Sequence, residues 1–221
     1  MAFEDYDEFE QGEQVRKWIK ENGVAVVVGV VLALVLIFGW RQWQAHKANV
    51  EIQAASQFGV VQNAVQGGDK QAMAAALGDL QKNYAKSAYA AFASAEVAEY
   101  DVSKDQLKPA AENLEWAVAH TDQPALHALF SLRLARVLLA QGQAQQALTT
   151  IDQVPAGEYA PIAAELRGDA LLKLGKLDAA RTAYQDALSK LDKGAPGRNV
   201  VQMKLDNLSQ PQAAPAGKQV Q

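Results

Sequence analysis

The chain has 221 residues, with 21 Lys and Arg, 25 Asp and Glu, 3 His and no Cys. Apolar residues make up 49% but aromatics only 7%, and alanine fills much of the difference; this favours packed helices, because Ala is the best helix former and a poor strand former. The missing Cys excludes disulfides, zinc–thiolate sites, iron–sulfur centres and thiol catalysis, and a formal charge of −4 gives no basic footprint for nucleic acid.

The mean hydropathy of −0.15 conceals one segment unlike the rest. Residues 1–21 begin with Glu4, Asp5, Asp7, Glu8, Glu10 and Glu13, with Tyr6 and Phe9 among them. Such a composition predicts a flexible tail. From Asn22 to Trp40 no residue carries a charge, and as a helix this run covers about 28 Å, close to the hydrocarbon thickness of a bilayer. Trp18 precedes it and Trp40 and Trp43 follow it, where indoles form belts at the two membrane–water boundaries. Arg16, Lys17 and Lys20 on one side and Arg41 and Lys47 on the other are placed to snorkel towards lipid headgroups. A core helix would be apolar on one stripe only. A cleaved signal would begin with basic residues and end at a small-x-small site, neither of which is present. The sequence therefore predicts an uncleaved transmembrane helix over residues 22–43. The excess of bases before the span predicts a cytoplasmic N-terminus and a main domain on the far side. Ala25, Gly29 and Ala33, at i, i+4 and i+8, share one face; they fit either ordinary span composition or a stripe for close helix packing.

Residues 44–208 read as one helical domain. Apolar positions at helical spacing are broken by Gly and Pro, which predicts helices over 46–65, 70–83, 87–101, 106–120, 125–141, 143–153, 160–174, 177–191 and 199–208. The tail, 209–221, is rich in Pro, Ala, Gln and Gly and is expected to be disordered. Ala135, Gly142, Ala147 and Ile151 are followed 33 residues later by Gly168, Gly175, Ala180 and Tyr184. This resembles the tetratricopeptide repeat, a helix–turn–helix unit of about 34 residues. Gly168 would be the small residue where two helices cross and Gly175 the turn. Ala180 and Ala187 would be close contacts, with Tyr184 the filler between them. A poorer copy has Ala98, Ala110, Leu114 and Ala117, and the 46–83 hairpin is a still weaker one. Ala164 and Ser131 stand where the pattern wants large aromatics, so the repeats are degenerate and a generic antiparallel bundle is the alternative. The last helix, with Val201, Leu205 and Leu208, would cap the exposed end.

No phosphate loop, dinucleotide fingerprint or Gly-x-Ser-x-Gly elbow is present. His120 and His127 flank Asp122 across a Pro124 turn and read as a solvated loop pair rather than metal ligands. Glu96 and Glu99, like Glu112 and Glu115, read as exposed helix faces. The expectation is a non-enzymatic protein without cofactor or metal, whose stacked hairpins offer a groove to other proteins. An enzyme would be signalled by a buried polar cluster with strongly perturbed carboxylates.

The stretch EQVRKWIKENGVAVVVGVVLALVLIFGWRQWQ, then LRLARVLLAQGQAQQAL, ELRGDALLKLGKLDAARTAYQDAL and VVQMKLDNL, together resemble one family, the ancillary SecYEG translocon subunits (YfgM-like proteins of Gram-negative bacteria). The resemblance runs from about Glu13 to Leu208. It implies an all-α, single-pass inner-membrane protein with a tetratricopeptide-like periplasmic domain. Its implied partners are the SecYEG translocon and a membrane-anchored periplasmic chaperone of the PpiD type; the apolar span adds membrane lipid, and whether unfolded client proteins bind directly is left open by the sequence. The implied role is to pass newly translocated proteins to periplasmic chaperones. A tethered scaffold for another envelope-assembly or division complex would have the same fold and different partners.

Overall fold

The structure, a computed structural model, describes the backbone of residues 4–155 and 157–209, and side chains within 12–208. The described residues form helices without a strand: α1 (Glu4–Gly67), α2 (Lys70–Asn83), α3 (Ala88–Ser103), α4 (Leu107–Ala119), α5 (Pro124–Ala140), α6 (Ala144–Asp152), α7 (Ala160–Lys173), α8 (Leu177–Lys190) and α9 (Arg198–Ser209). The chain divides into two compact units, Met1–Ile52 and Gln53–Gln221. The tail expected to be disordered lies outside the described residues, apart from Ser209.

The first unit is helical throughout its described part. Where the sequence predicts a flexible acidic tail, the backbone is already in α1 at Glu4. There is also no break between the apolar run and the helix expected from 46, because residues 41–50 contain neither Gly nor Pro to end the turn-by-turn hydrogen bonding. Val24 is 81% exposed and Leu36 72%, and none of the most apolar stretch is buried by protein. A continuous apolar surface of this size needs an apolar surrounding.

The second unit is built from four hairpins: the end of α1 with α2, α3 with α4, α5 with α6, and α7 with α8. The four turns within them share one geometry. Gly68 (φ 66°), Asp105 (φ 58°), Gly142 (φ 78°) and Gly175 (φ 74°) are left-handed. The residue after each donates back five positions: Asp69 N to Ala64 O at 3.0 Å, Gln106 N to Asp101 O at 2.8 Å, Gln143 N to Leu138 O at 2.8 Å and Lys176 N to Leu171 O at 2.9 Å. This is the Schellman closure, which satisfies carbonyls at the end of the first helix and aims the chain into the second. Asp69 then caps α2, accepting from the backbone N–H groups of Gln71 and Ala72 at 3.0 Å each.

These left-handed residues set a common register. Seven positions before them stand Val61, Ala98, Ala135 and Gly168; nine positions after them stand Leu77, Leu114, Ile151 and Tyr184. All eight are buried. As the first series shrinks to glycine the second grows to tyrosine, so volume lost on one helix is refilled from the other. Five positions after the turns come Met73, Ala110, Ala147 and Ala180, again buried. The core falls into three clusters: one around Val61, Leu77 and Leu80, a central one from Ala91 to Ala170, and a last one around Tyr184, Leu188 and Val201. The sequence begins this domain at 44, whereas the first side chain in its core is Ala54, because residues 44–53 are largely exposed.

Candidate functional site

Two features of the chain are built for contact with something else. The first is the apolar part of α1. Trp18 and Trp40 are separated by a helix rise of about 33 Å, matching a bilayer core of about 30 Å. Trp40 and Trp43 lie with ring centroids 5.2 Å apart, and Lys47 Nζ sits 3.8 Å from the Trp43 ring centroid. A cation over an indole at the end of an apolar run suits the headgroup layer. Ala25, Gly29 and Ala33 are exposed along one face, and a Cβ added at Gly29 would meet no atom within 4 Å.

The second is a groove in the second unit, formed by the first helix of successive hairpins. One hollow, of about 520 Å³, is lined by Phe58, Phe92, Glu96, Tyr100, Phe130 and Arg133, among others. A neighbouring one of about 310 Å³ adds Val102, Arg136 and Val137, and the two share Ala95, Glu99 and Arg133. The floor is aromatic: Phe92 meets the buried Phe130 edge-on at 5.8 Å, and Phe58 lies 5.9 Å from Tyr89. Phe92 keeps 37% of its surface exposed, so the floor is not sealed. The walls are charged. Glu99 approaches Arg133 at 3.8 Å, and Glu96 accepts a hydrogen bond from Gln62 Nε2 at 3.3 Å. An aromatic floor between separated acidic and basic walls suits a peptide segment with mixed side chains.

The residues named from the repeat pattern pack the core and turns of the second unit. Ala135, Ala147, Ala180, Ala187 and Tyr184 are fully buried, and Gly168 is buried against the Tyr184 ring. Gly142 and Gly175 make the turns. Tyr184 donates from its hydroxyl to Asp169 Oδ1 at 2.8 Å, and Lys204 from α9 bridges Glu165 and Asp169 at 2.7 Å each. Burial, then the Asp169 hydrogen bond, raises the Tyr184 pKa above its ordinary value. Burial alone would lower that of Lys204, but its hydrogen bonds to Asp169 and Glu165 outweigh this and raise it. Arg198 also donates to the carbonyls of Leu188, in α8, and Leu191, just beyond its end, at 2.7 and 2.8 Å. α9 is thereby fastened over the last hairpin.

Glu96 corrects the sequence expectation. It is half-buried in the groove rather than on a solvated face, because α3 turns that edge towards α1 and α5. Glu99 is exposed, and it forms part of the wall. His120 stacks on Trp116 at 4.0 Å with its Nδ1 2.9 Å from the Trp116 carbonyl. The groove aromatics Phe58, Phe92 and Phe130 escape a reading by repeat pattern. Their available signal is spacing: Phe92 and Phe130 stand 13 and 12 positions before their turns, on the first helix in both cases.

The class of protein is then clear from known relatives. A family described as "Tetratricopeptide repeat-like domain" matches residues 16–210. Among solved structures, a putative kinesin light chain with nearly identical TPR-like repeats from Podospora anserina superimposes with a TM-score of 0.54 at 19% identity, covering 71% of this chain and 85% of that one. This is a likeness of fold. The chain is thus a tetratricopeptide-like helical repeat protein with one N-terminal helix long and apolar enough to cross a membrane. Two curated proteins resemble it along nearly their whole length. The ancillary SecYEG translocon subunit of Escherichia coli (strain K12) is 36% identical over 203 residues, 92% of this chain and 97% of that protein. The one of Haemophilus influenzae (strain Rd) is 32% identical over 205 residues, covering 91% and 98%. The chain belongs to the ancillary SecYEG translocon subunit family.

Proposed function

We propose that this protein is a non-enzymatic scaffold anchored in the bacterial inner membrane beside the SecYEG translocon. Its N-terminus lies in the cytoplasm and its repeat unit in the periplasm. There the groove helps to pass newly translocated polypeptide to a membrane-anchored chaperone of the PpiD type. The observation that carries this reading is the 36% identity to the Escherichia coli ancillary SecYEG translocon subunit across 97% of that protein's length. The tryptophan spacing of α1 supports residence in a bilayer, and the exposed Ala25–Gly29–Ala33 face supports close approach of a membrane partner. The open aromatic groove supports capture of a peptide segment.

The test uses the full chain in native membranes with a photo-crosslinking residue at 29 or at 92. Position 29 should yield adducts with a SecYEG subunit, and Gly29→Leu should reduce co-purification. Position 92 should yield adducts with a periplasmic chaperone or a translocating chain. Protease added to spheroplasts should digest the repeat unit and spare an N-terminal tag. Extraction of the chain by alkaline carbonate, or a repeat unit protected in spheroplasts, would overturn the reading.

A further inference from the structure

The four-hairpin register exposes one position where the chain breaks its own rule. Four residues before each left-handed turn residue stand Ala64, Asp101, Leu138 and Leu171. Three are apolar; the fourth is a carboxylate only 8% exposed. It also sits in the last turn of α3, where the helix dipole disfavours an anion. Eight residues after the turns the series is Ala76, Asn113, Thr150 and Ala183. The second hairpin therefore departs from the pattern in a matched pair, and the two side chains meet: Asn113 Nδ2 donates to Asp101 Oδ2 at 3.1 Å. Among the described residues no other hydrogen bond and no ion pair engages this carboxylate. Its other oxygen is left to a cavity of about 310 Å³ lined by Met73, Leu77, Gly78, Val97, Tyr100 and Asn113.

Gly78 is a second irregularity at the same place. It lies inside α2, where glycine is a much poorer helix former than alanine. No close contact requires it, since a Cβ there would meet nothing within 4 Å. What the missing side chain provides is open space beside the carboxylate. A buried anion with one hydrogen-bond donor is expensive, and burial pushes the Asp101 carboxyl above its ordinary pKa despite Asn113 and the charge of Lys70. Local breaches of a fold's own pattern without a packing gain mark functional positions.

We propose that this cavity is a docking socket for an arginine side chain projecting from a partner protein, with Asp101 as the anionic base of the socket. The apolar lining by Met73, Leu77 and Val97 fits the aliphatic stem. Guanidinium is less strongly hydrated than ammonium and can present paired N–H groups to a carboxylate, so arginine is favoured over lysine. The volume lies at the low end for ligand sites, fitting one side chain rather than a larger molecule. Lys70 at the rim is exposed, so water and salt screen its repulsion more than they screen the attraction of the buried carboxylate. The socket involves α2, α3 and α4, and Tyr100 is the one lining residue it shares with the groove over Phe92. It would stand whether or not the translocon reading does.

The full chain in nanodiscs, labelled with ¹⁵N-asparagine, is titrated with N-acetyl-arginine methylamide, a capped arginine, and with its neutral citrulline counterpart. The Asn113 side-chain amide should shift saturably with the arginine probe, with half-saturation below about 10 mM, as befits a ligand of this size. The citrulline probe should leave it unmoved. Asp101→Asn preserves volume and the contact with Asn113, and should weaken the probe at least tenfold; Gly78→Leu, which closes the space, should do the same. No saturation by the arginine probe overturns the proposal, as does equal response to citrulline or an unchanged response in both variants.

Discussion

Replacing Gly168 by alanine sets two physical effects against each other. In most helix interiors this change stabilises by about 1 kcal/mol, because alanine has the higher helix propensity. Here the new Cβ would lie 2.3 Å from Tyr184 Cε1, 2.5 Å from Cδ1 and 2.9 Å from Cζ. These are atoms of a fully buried ring, and the ring is held at its far end by the hydrogen bond to Asp169. Overpacking of this kind costs about 1–3 kcal/mol. If the ring moves to relieve it, the hydroxyl loses a bond to a charged acceptor worth about 1.5–3 kcal/mol. After subtracting the helix gain, the net loss is about 0.5–2 kcal/mol, which lowers the melting temperature by about 1–8 °C for a chain of this size. The assay is urea unfolding of the detergent-solubilised chain followed by circular dichroism, with amide hydrogen exchange to localise the loss to α7, α8 and α9. The third hairpin supplies the control, because it pairs Ala135 with Ile151 at the same positions. The double variant Gly168→Ala, Tyr184→Ile should recover at least half the deficit. A Gly168→Ala protein more stable than the parent would show that propensity decides and that the ring contact does not.

Above about pH 10 stability should fall steadily: folded Lys204 keeps its proton, and folded Tyr184 stays neutral, beyond the points at which they ionise when unfolded (10.5 and 10.0). Urea midpoints measured from about pH 9 to about pH 11 should decline, and Lys204→Met should flatten that decline. Asp105→Gly should stabilise by up to about 1 kcal/mol, since Asp105 alone among the four turn residues carries a side chain at positive φ; a lower melting temperature would refute this. Ser131→Ala should be neutral or stabilising by about 1 kcal/mol, because the Ser131 hydroxyl is buried without a partner. The register-equivalent Ser94 holds Gln81 at 3.1 Å and the Ala90 carbonyl at 3.0 Å, so Ser94→Ala should cost about 1 kcal/mol, and equal effects at the two serines would contradict the reasoning.

Most helices were legible because Gly and Pro punctuate the chain at their ends, as at Gly142 and Gly175. The first two turns were harder to read. Asp105 occupies a left-handed position without the glycine that signals one, and Gly68 stands beside Gly67, which leaves the turning residue ambiguous. The spacings of 37, 37 and 33 residues between turns further blur a period expected near 34. The acidic segment shows another limit, for composition foretold a flexible tail and propensity within an uninterrupted helix prevailed. The groove was least legible. Which edge of α3 faces α1 and α5 depends on the angle between hairpins, so Glu96, Phe92 and Arg133 gather only in three dimensions.

Fastening α9 over the last hairpin also makes the array finite. Val201 lies fully buried against the cluster that includes Tyr184 and Leu188, with Leu205 and Leu208 beside it. A hairpin surface of that kind accepts any similar hairpin, and each molecule that docked would offer the same surface onward. Ending translation before Arg198 should therefore yield open-ended chains of molecules, visible as concentration-dependent growth in light scattering that the full chain does not show.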